Sequence, residues 1–519
     1  MKFRSLVEKL KTALEGDSTK RPRATRSHPP RRAVPSTSSK SSPVRRPSSS
    51  AAPQSKAKLE PQSPSAVIPP EAKPEIDLFI GFDLGTSSSK VVIGNPEMES
   101  SFPVVFQKDK TGVTQFLIPT AFRETSKGCQ LVRNDSGTHS NFKLRMMNSG
   151  HAGPAGRDDD IVDLTVYSAL VSREALQWFH ETHGRDYAQF DVVWNLSVGF
   201  PKKAVSKKGR LEKAYREALD AASILCGKRE PITRIAAREA LESVRAKMAT
   251  SGLIESELIE LWPEIAAQLA GYMRSPYHRN GNLVLVDIGA GTLDVSAIIL
   301  HGGAESRKCS FHHCSVEPLG AFRLFQARQK ALMREGVEKS ELKLVFSKDP
   351  LARVPEAVSG YLERGVKVTP RAKRAFELKT RGFIDECIEV VRERMVSFRQ
   401  AQKRSHHNTA FDPWPGYLPV ILSGGGSRLK SYDDALRKDL EEKLRPSTRW
   451  AVEKSERERA EQGLETVLMP VPDDLKTNVA LQYDFDRISV AHGLAYGAEN
   501  LPLVTSSGGK GVISSKGSA

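Results

Sequence analysis

The stretch Leu283-Val-Leu-Val-Asp-Ile-Gly-Ala-Gly-Thr-Leu-Asp-Val-Ser-Ala-Ile-Ile-Leu300 sets two short apolar runs around a turn that carries glycine, threonine and two aspartates. Apolar runs of this length, bounded by Gly-rich turns, read as strand, tight turn, strand. The pattern has a counterpart 204 positions upstream, where Leu78-Phe-Ile-Gly-Phe82 and Lys90-Val-Val-Ile93 flank Asp83-Leu-Gly-Thr-Ser-Ser-Ser89. The recurrence predicts two similar lobes, each opening with its own hairpin. Each turn places an acid at the end of a buried strand, beside Gly and Thr or Ser. Glycines let backbone N–H groups approach phosphate oxygens with no side chain in the way, and successive amides form an anion-binding concavity. An acid facing a phosphate needs a divalent cation between the two, and magnesium keeps several waters while taking few carboxylates.

Outward from the hairpins the chain alternates strands with helices. Leu211, Tyr215, Leu219, Ala222 and Leu225 share one helical face, and Ile384, Cys387, Ile388, Val391, Met395 and Phe398 share another. The second of these helices leads to Pro419-Val-Ile-Leu422 and Ser423-Gly-Gly-Gly-Ser-Arg428, followed by a helix from Asp434 to Leu444. Such alternation predicts an α/β class.

Of the 519 residues, 78 are Lys or Arg and 62 are Asp or Glu, a formal net charge of +16. Residues 1–75 hold +10 of that charge and 504–519 hold +2, so the central region 76–503 is nearly balanced at +4. The Ser/Pro/Arg-rich stretch 17–75 has too little apolar surface to offset ordering entropy and is expected to be disordered. Ahead of it, Phe3, Leu6, Val7, Leu10 and Leu14 recur at helical spacing among lysines, which predicts a short basic amphipathic helix over 2–15. Docking on a protein partner, lying on an anionic membrane and organelle targeting are open to that segment. Contact of the arm with nucleic acid phosphates is a further possibility, though no aromatics are interleaved for base stacking. No apolar run is long enough to span a bilayer, and no secretory h-region opens the chain. The expected location is intracellular and cytoplasmic. The five cysteines are odd in number and scattered, which argues for a reducing compartment. In Cys309-Ser-Phe-His-His-Cys314 a strand would send the two thiols to opposite faces, so a zinc site is not expected there.

Asp83-Leu-Gly-Thr, Asp287-Ile-Gly-Ala-Gly-Thr-Leu-Asp294 and Ile421-Leu-Ser-Gly-Gly-Gly-Ser-Arg428 resemble the first phosphate, second phosphate and adenosine motifs of the actin-like ATPase superfamily. Within it they are most similar to the nucleotide-binding domain of the heat-shock seventy-kilodalton chaperones. Gly493-Leu-Ala-Tyr-Gly-Ala498 looks like that family's second connecting segment, and Ile118-Pro-Thr-Ala-Phe122 stands where its first lobe continues. The resemblance spans about 78–500 and implies a bilobed fold, two related ribonuclease H-like lobes with ATP or ADP and Mg²⁺ in the cleft. The first lobe would run over about 76–275 and the second over about 276–480, with a return to the first at 481–503 and a flexible tail over 504–519.

By the same resemblance, Gly85, Thr86 and Ser87 meet the β and γ phosphates from one lobe, and Gly289, Ala290, Gly291 and Thr292 from the other. Asp83, Asp287 and Asp294 fall on the magnesium-linked aspartates, with contact largely through water. Gly424, Gly425 and Arg428 fall around the adenosine, and Lys143 falls near a lysine that reaches the γ-phosphate, where the alternative is a solvated surface lysine. Ala290 replaces a family glycine, which its methyl permits if φ stays negative. Pro263-Glu-Ile-Ala-Ala267 resembles a Glu-Pro segment that opens a helix beside the nucleotide, with proline at the first helical position. Trp262 stands where the acid is expected, and Glu264 or Glu260 are the nearby candidates to replace it. With 22 residues after Gly497, the family's C-terminal peptide-binding domain is not expected.

The expected function is therefore Mg-dependent ATP binding with slow hydrolysis, in a chaperone-like conformational switch read by protein partners. Alternatives are a sugar-type small-molecule kinase of the same superfamily, a nucleotide-dependent filament protein, and a hydrolysis-impaired pseudo-ATPase, the last motivated by Trp262.

Overall fold

The computed structural model describes residues 73–133, 139–148, 154–200, 209–248, 252–274, 278–301, 308–343, 345, 351–405, 418–444, 464–472, 475, 481, 484–497, 503–506 and 512–513. The expected helix at 2–15 and almost all of the basic arm lie outside the described residues.

A hairpin opens the first sheet. Strand β1 (Glu75–Asp83) pairs antiparallel with β2 (Ser88–Asn95), which pairs with β3 (Ser100–Pro103). Ile76, Leu78, Ile80 and Phe82 alternate along β1 and are all buried, the period of two that packs one face of a strand on a core. Strand β4 (Ile118–Pro119) adds to β2, while β5 (Ala121–Thr125), β6 (Gly128–Leu131) and β7 (His139–Ser140) make a small separate sheet. Helices α1 (Phe142–Asn148) and α2 (Pro154–His183) carry the chain to β8 (Asp191–Phe200), parallel to β1. Helices α3 (Arg210–Cys226) and α4 (Arg234–Arg245) lead on to β9 (Ile259–Pro263), parallel to β8.

The second sheet repeats this plan. Strands β10 (Gly281–Ile288), β11 (Leu293–His301) and β12 (Lys308–Glu317) form an antiparallel meander. After α6 (Ala321–Arg334) and α7 (Pro370–Ser405) the chain enters β13 (Leu418–Ser423), parallel to β10. After α8 (Lys430–Leu444) it enters β14 (Leu464–Leu468), parallel to β13. Among the described residues the strand orders are β3-β2-β1-β8-β9 and β12-β11-β10-β13-β14, the same order with the same polarities. The protein is thus mixed α/β, with parallel and antiparallel pairs in each of the two large sheets.

Two helices join the sheets. Helix α5 (Glu264–Arg274) follows β9, and Ile265, Leu269, Tyr272 and Met273 share a buried cluster with Leu283 and Leu285 of β10 and Ile298 of β11. Helix α9 (Ser489–Leu494) packs on α5 and on β1. Gly493 makes that approach possible, since a Cβ there would stand 1.8 Å from the Ala267 carbonyl oxygen.

On the expected face of α3, Tyr215, Leu219, Ala222 and Leu225 are buried and Leu211 is half-buried, and all six named residues of α7 are buried. Three expectations are corrected. Pro263 is the last residue of β9, so α5 opens on Glu264 instead of on proline. Helix α8 begins at Lys430, four residues before Asp434. The tail expected to be flexible from 504 carries strand structure: β15 (Leu503–Ser506) runs parallel to β12 and pairs with β16 (Val512–Ile513). The open edge of β12 supplies the unpaired backbone groups that recruit them. No helix among the described residues is long and apolar enough to cross a membrane.

Candidate functional site

The ends of the two hairpins face one cavity of about 500 Å³, lined by both turns, by Gly424–Gly426 after β13 and by the first turn of α5. Gly85, Thr86, Ser87, Gly289, Ala290, Gly291 and Thr292 all line it. The backbone of each turn is oriented by what its carbonyls bind. In the second turn the carbonyls of Gly289 and Ala290 accept from the first amides of α6, Ala321 N at 2.9 Å and Phe322 N at 2.8 Å, and that of Gly291 accepts from Gly320 N at 3.4 Å. In the first turn the Gly85 carbonyl accepts from the Thr120 hydroxyl at 2.7 Å, and the Leu84 carbonyl accepts from Lys143 Nζ.

In a trans peptide the N–H following a carbonyl points the opposite way. The amides of Gly85, Thr86, Ala290, Gly291 and Thr292 are therefore turned away from these carbonyl contacts, and among the described residues none has a backbone partner. The Gly289 amide is different, because it closes its own turn on the Thr292 carbonyl at 2.9 Å. Ala290 is absent from the residues with positive φ, so its methyl costs no backbone strain.

The carboxylates at the hairpin ends are not equivalent. Asp83 is the register partner of Lys90, whose Nζ lies 2.9 Å from its Oδ2. Asp287 is the register partner of Asp294, acid opposite acid. Like charges directly opposite in an antiparallel pair repel. Asp287 Oδ2 accepts from Gln268 Nε2, and that amide also reaches Ser423 Oγ at 3.3 Å. Asp287 Oδ1 and Asp294 Oδ1 are shut off from solvent with no hydrogen-bond partner. Burial first, and then the charges of Glu264 and Asp83, push the Asp287 carboxyl up to about 6. Burial and the Asp287 charge raise Asp294 well above the usual carboxylate range.

Lys143 is not a solvated surface lysine. Helix α1 buries it to 5% exposure beside the cavity, and its Nζ donates to Glu264 Oε1 at 2.6 Å as well as to Leu84. Burial opposes its charge, but the Glu264 carboxylate outweighs that and holds its pKa above the ordinary lysine range. Trp262 is accounted for by packing. It is buried with Ala267, Ala270, Val490 and Leu494 where α5 meets α9, and its Nε1 donates to Glu260 Oε2 at 2.9 Å. Glu260 is thereby committed to the indole, and Glu264, one turn before Gln268 on α5, is the acid that reaches the cavity.

The glycine loop after β13 closes a further side. Gly424 has φ +82°, and a Cβ on it would stand 2.0 Å from Asp287 Oδ1, so only glycine fits. Gly425 lines the cavity, but Arg428 does not. The Arg428 guanidinium lies 2.9 Å from Asp486, a residue buried to 2% exposure, and supports the loop from behind. Sequence reasoning missed Lys90, Gln268, Arg323, Arg353 and Arg487, which all line the cavity. For Lys90 a signal was available: it follows Asp83 by seven residues, the spacing from Asp287 to Asp294.

Among the described residues no three His, Cys, Asp or Glu side chains come together as a direct metal-ligating group, so a cation at Asp287 and Asp294 would be held partly through water. Cys309 is buried and Cys314 exposed on opposite faces of β12. Neither a family model nor a curated protein matches the chain.

Proposed function

We propose that the cavity binds ATP with Mg²⁺ and that the chain hydrolyses it slowly, acting as a nucleotide-dependent conformational switch on a bilobed, actin-like framework similar to the heat-shock seventy-kilodalton nucleotide domain. The observation that carries this reading is the pair of hairpin turns whose carbonyls are engaged elsewhere and whose amides are left for an anion in one cavity. The repeated strand order supports two related lobes. The orphaned oxygens of Asp287 and Asp294 fit a cation, since a buried acid–acid pair needs positive charge or a proton. Bound there, Mg²⁺ would neutralise these carboxylates and the phosphate charge together.

Asp83 has a different task. Lys90 already balances it, so Asp83 holds the Lys90 ammonium beside the first turn. Lys143 uses two of its three N–H groups on Leu84 and Glu264, which leaves one for a phosphate oxygen. Glu264 accepts a hydrogen bond from the attacking water and orients it. Water adds to the terminal phosphorus, the bond to the bridging oxygen breaks, and ADP and phosphate leave. Binding requires only the amides and cations, whereas turnover also requires Glu264 in place, so the two are separable.

The test is calorimetric titration of the wild type with ATP in the presence and absence of Mg²⁺, together with steady-state phosphate release and a panel of sugars and polyols. Mg-dependent ATP binding with slow, sugar-independent release is expected. Absence of ATP binding rejects the reading, and stimulation by a sugar replaces it with a kinase.

A further inference from the structure

One wall of the cavity is the segment Leu351–Val354, which belongs to no helix or strand. Beyond it the chain makes a short turn at Val358–Tyr361 and bridges back through Leu362 to Leu342 before α7. Leu351–Val354 itself pairs with no strand, yet Leu351 and Val354 are buried. Two arginines restrain it, Arg353 from within the wall and Arg328 through the residues that follow it.

Arg328, on the same helix as the cavity residues Arg323 and Gln326, is 1% exposed. Its fork donates to the Pro355 carbonyl at 2.9 Å, Tyr361 Oη at 3.2 Å, Thr380 Oγ1 of α7 at 2.9 Å and Ser431 Oγ of α8 at 3.3 Å. Its guanidinium carbon lies 4.9 Å from the centre of the Phe376 ring. The nearest carboxylate, Glu356, is 3.7 Å away and partly exposed. A buried cation compensated mainly by neutral oxygens is costly, and an apolar side chain of similar volume would fill the same space with less desolvation. What the guanidinium adds is geometry: a planar fork ties the 355–361 segment to three helices at fixed angles. Within the wall itself, Arg353 is ion-paired with Asp484, which lies just before the Asp486–Arg487 edge of the cavity.

We propose that Arg328 is a positioning residue and Arg353–Asp484 a clasp, and that together they hold the Leu351–Val354 wall closed over the cavity's ligand and set how fast it leaves. This inference rests on the nucleotide reading of the cavity. The clasp is partly exposed and is a weak constraint alone, whereas the Arg328 fork anchors the 355–361 stretch on which the wall ends.

The experiment is stopped-flow release of a fluorescent ADP analogue from the full chain, with Arg353→Ala, Asp484→Ala, the double variant and Arg328→Lys. Thermal unfolding and hydrogen exchange over 351–362 are measured on the ligand-free proteins. Each clasp variant should release the analogue about two- to fivefold faster at unchanged Tm, the range of one exposed ion pair, and the double variant no faster than the singles. Arg328→Lys keeps the charge but loses the fork, and should speed release about tenfold with faster exchange over 351–362. Wild-type protein that binds no analogue removes the nucleotide reading and this inference with it. Intact binding with equal release rates in all four variants, or a loss of stability in Arg328→Lys without faster release, overturns this inference alone.

Discussion

Asp287 and Asp294 stand directly opposite each other across the second hairpin, while the same register position of the first hairpin sets Asp83 opposite Lys90. One hairpin is neutralised within the chain, and the other carries two buried acids with an unpartnered oxygen on each. That asymmetry gives the cavity a place for external positive charge on one side only.

Asp294→Asn removes one charge from this pair and supplies an amide that can donate to Asp287. The ligand-free protein should gain about 1 kcal/mol, the scale of relieving a cross-strand like-charge contact. Mg-dependent nucleotide binding should weaken at least tenfold. Urea denaturation without Mg²⁺ and titration with it measure the two effects, which move in opposite directions.

Binding should also depend on pH. The Asp287 carboxyl titrates at about 6 in the folded chain against an ordinary 3.8. Between those values the folded protein holds a proton that the unfolded chain has lost, so the stability of the ligand-free protein falls as pH rises through this window. Cation and proton compete for the same oxygens, so Mg-nucleotide affinity should rise over the same window. Asp287→Asn should flatten that part of the profile, as titrations from pH 5 to 8 would show.

Breaking the Lys143–Glu264 pair leaves a charge among Asp287 and Asp294. Lys143→Met should cost about 3 kcal/mol, as expected when one partner of a buried pair is removed. Glu264→Gln should lower turnover about 100-fold while nucleotide still binds. The double variant should recover much of the stability and none of the turnover, a combination read by chemical denaturation and phosphate release.

Gly424→Ala places a methyl against Asp287 Oδ1 at a backbone conformation with φ +82°. A loss of about 2 to 3 kcal/mol is expected from strain and collision together. Ala at Gly425, where the nearest atom to a Cβ is Arg487 Nε at 3.4 Å, should cost far less. Paired thermal melts of the two variants test the contrast.

Much of the fold was legible because its signals are local. The two hairpins, the buried faces of α3 and α7 and the strand before Gly424 each follow from apolar periodicity and turn chemistry within a few residues. The turn residues that line the cavity were legible because the pattern recurs: one Asp-x-Gly-Thr after a strand reads as an ordinary turn, but two such hairpins and a Gly-Gly-Gly-Ser strand end in order are a specific signal. The pairing of Arg428, itself outside the cavity lining, with Asp486 was not legible, because it is a contact across 58 positions that no local pattern encodes.

By itself, then, the sequence determined an α/β chain with two glycine-bearing hairpin turns, an acid on each and a basic arm that holds most of the excess charge. Only the tertiary structure decided how those acids are balanced. It brought Glu264 to Lys143 across 121 positions, turned Trp262 into a packing residue and buried Arg328 behind the cavity wall. Turn chemistry is a property of neighbours along the chain, whereas the state of a buried charge depends on whatever the packed elements set beside it.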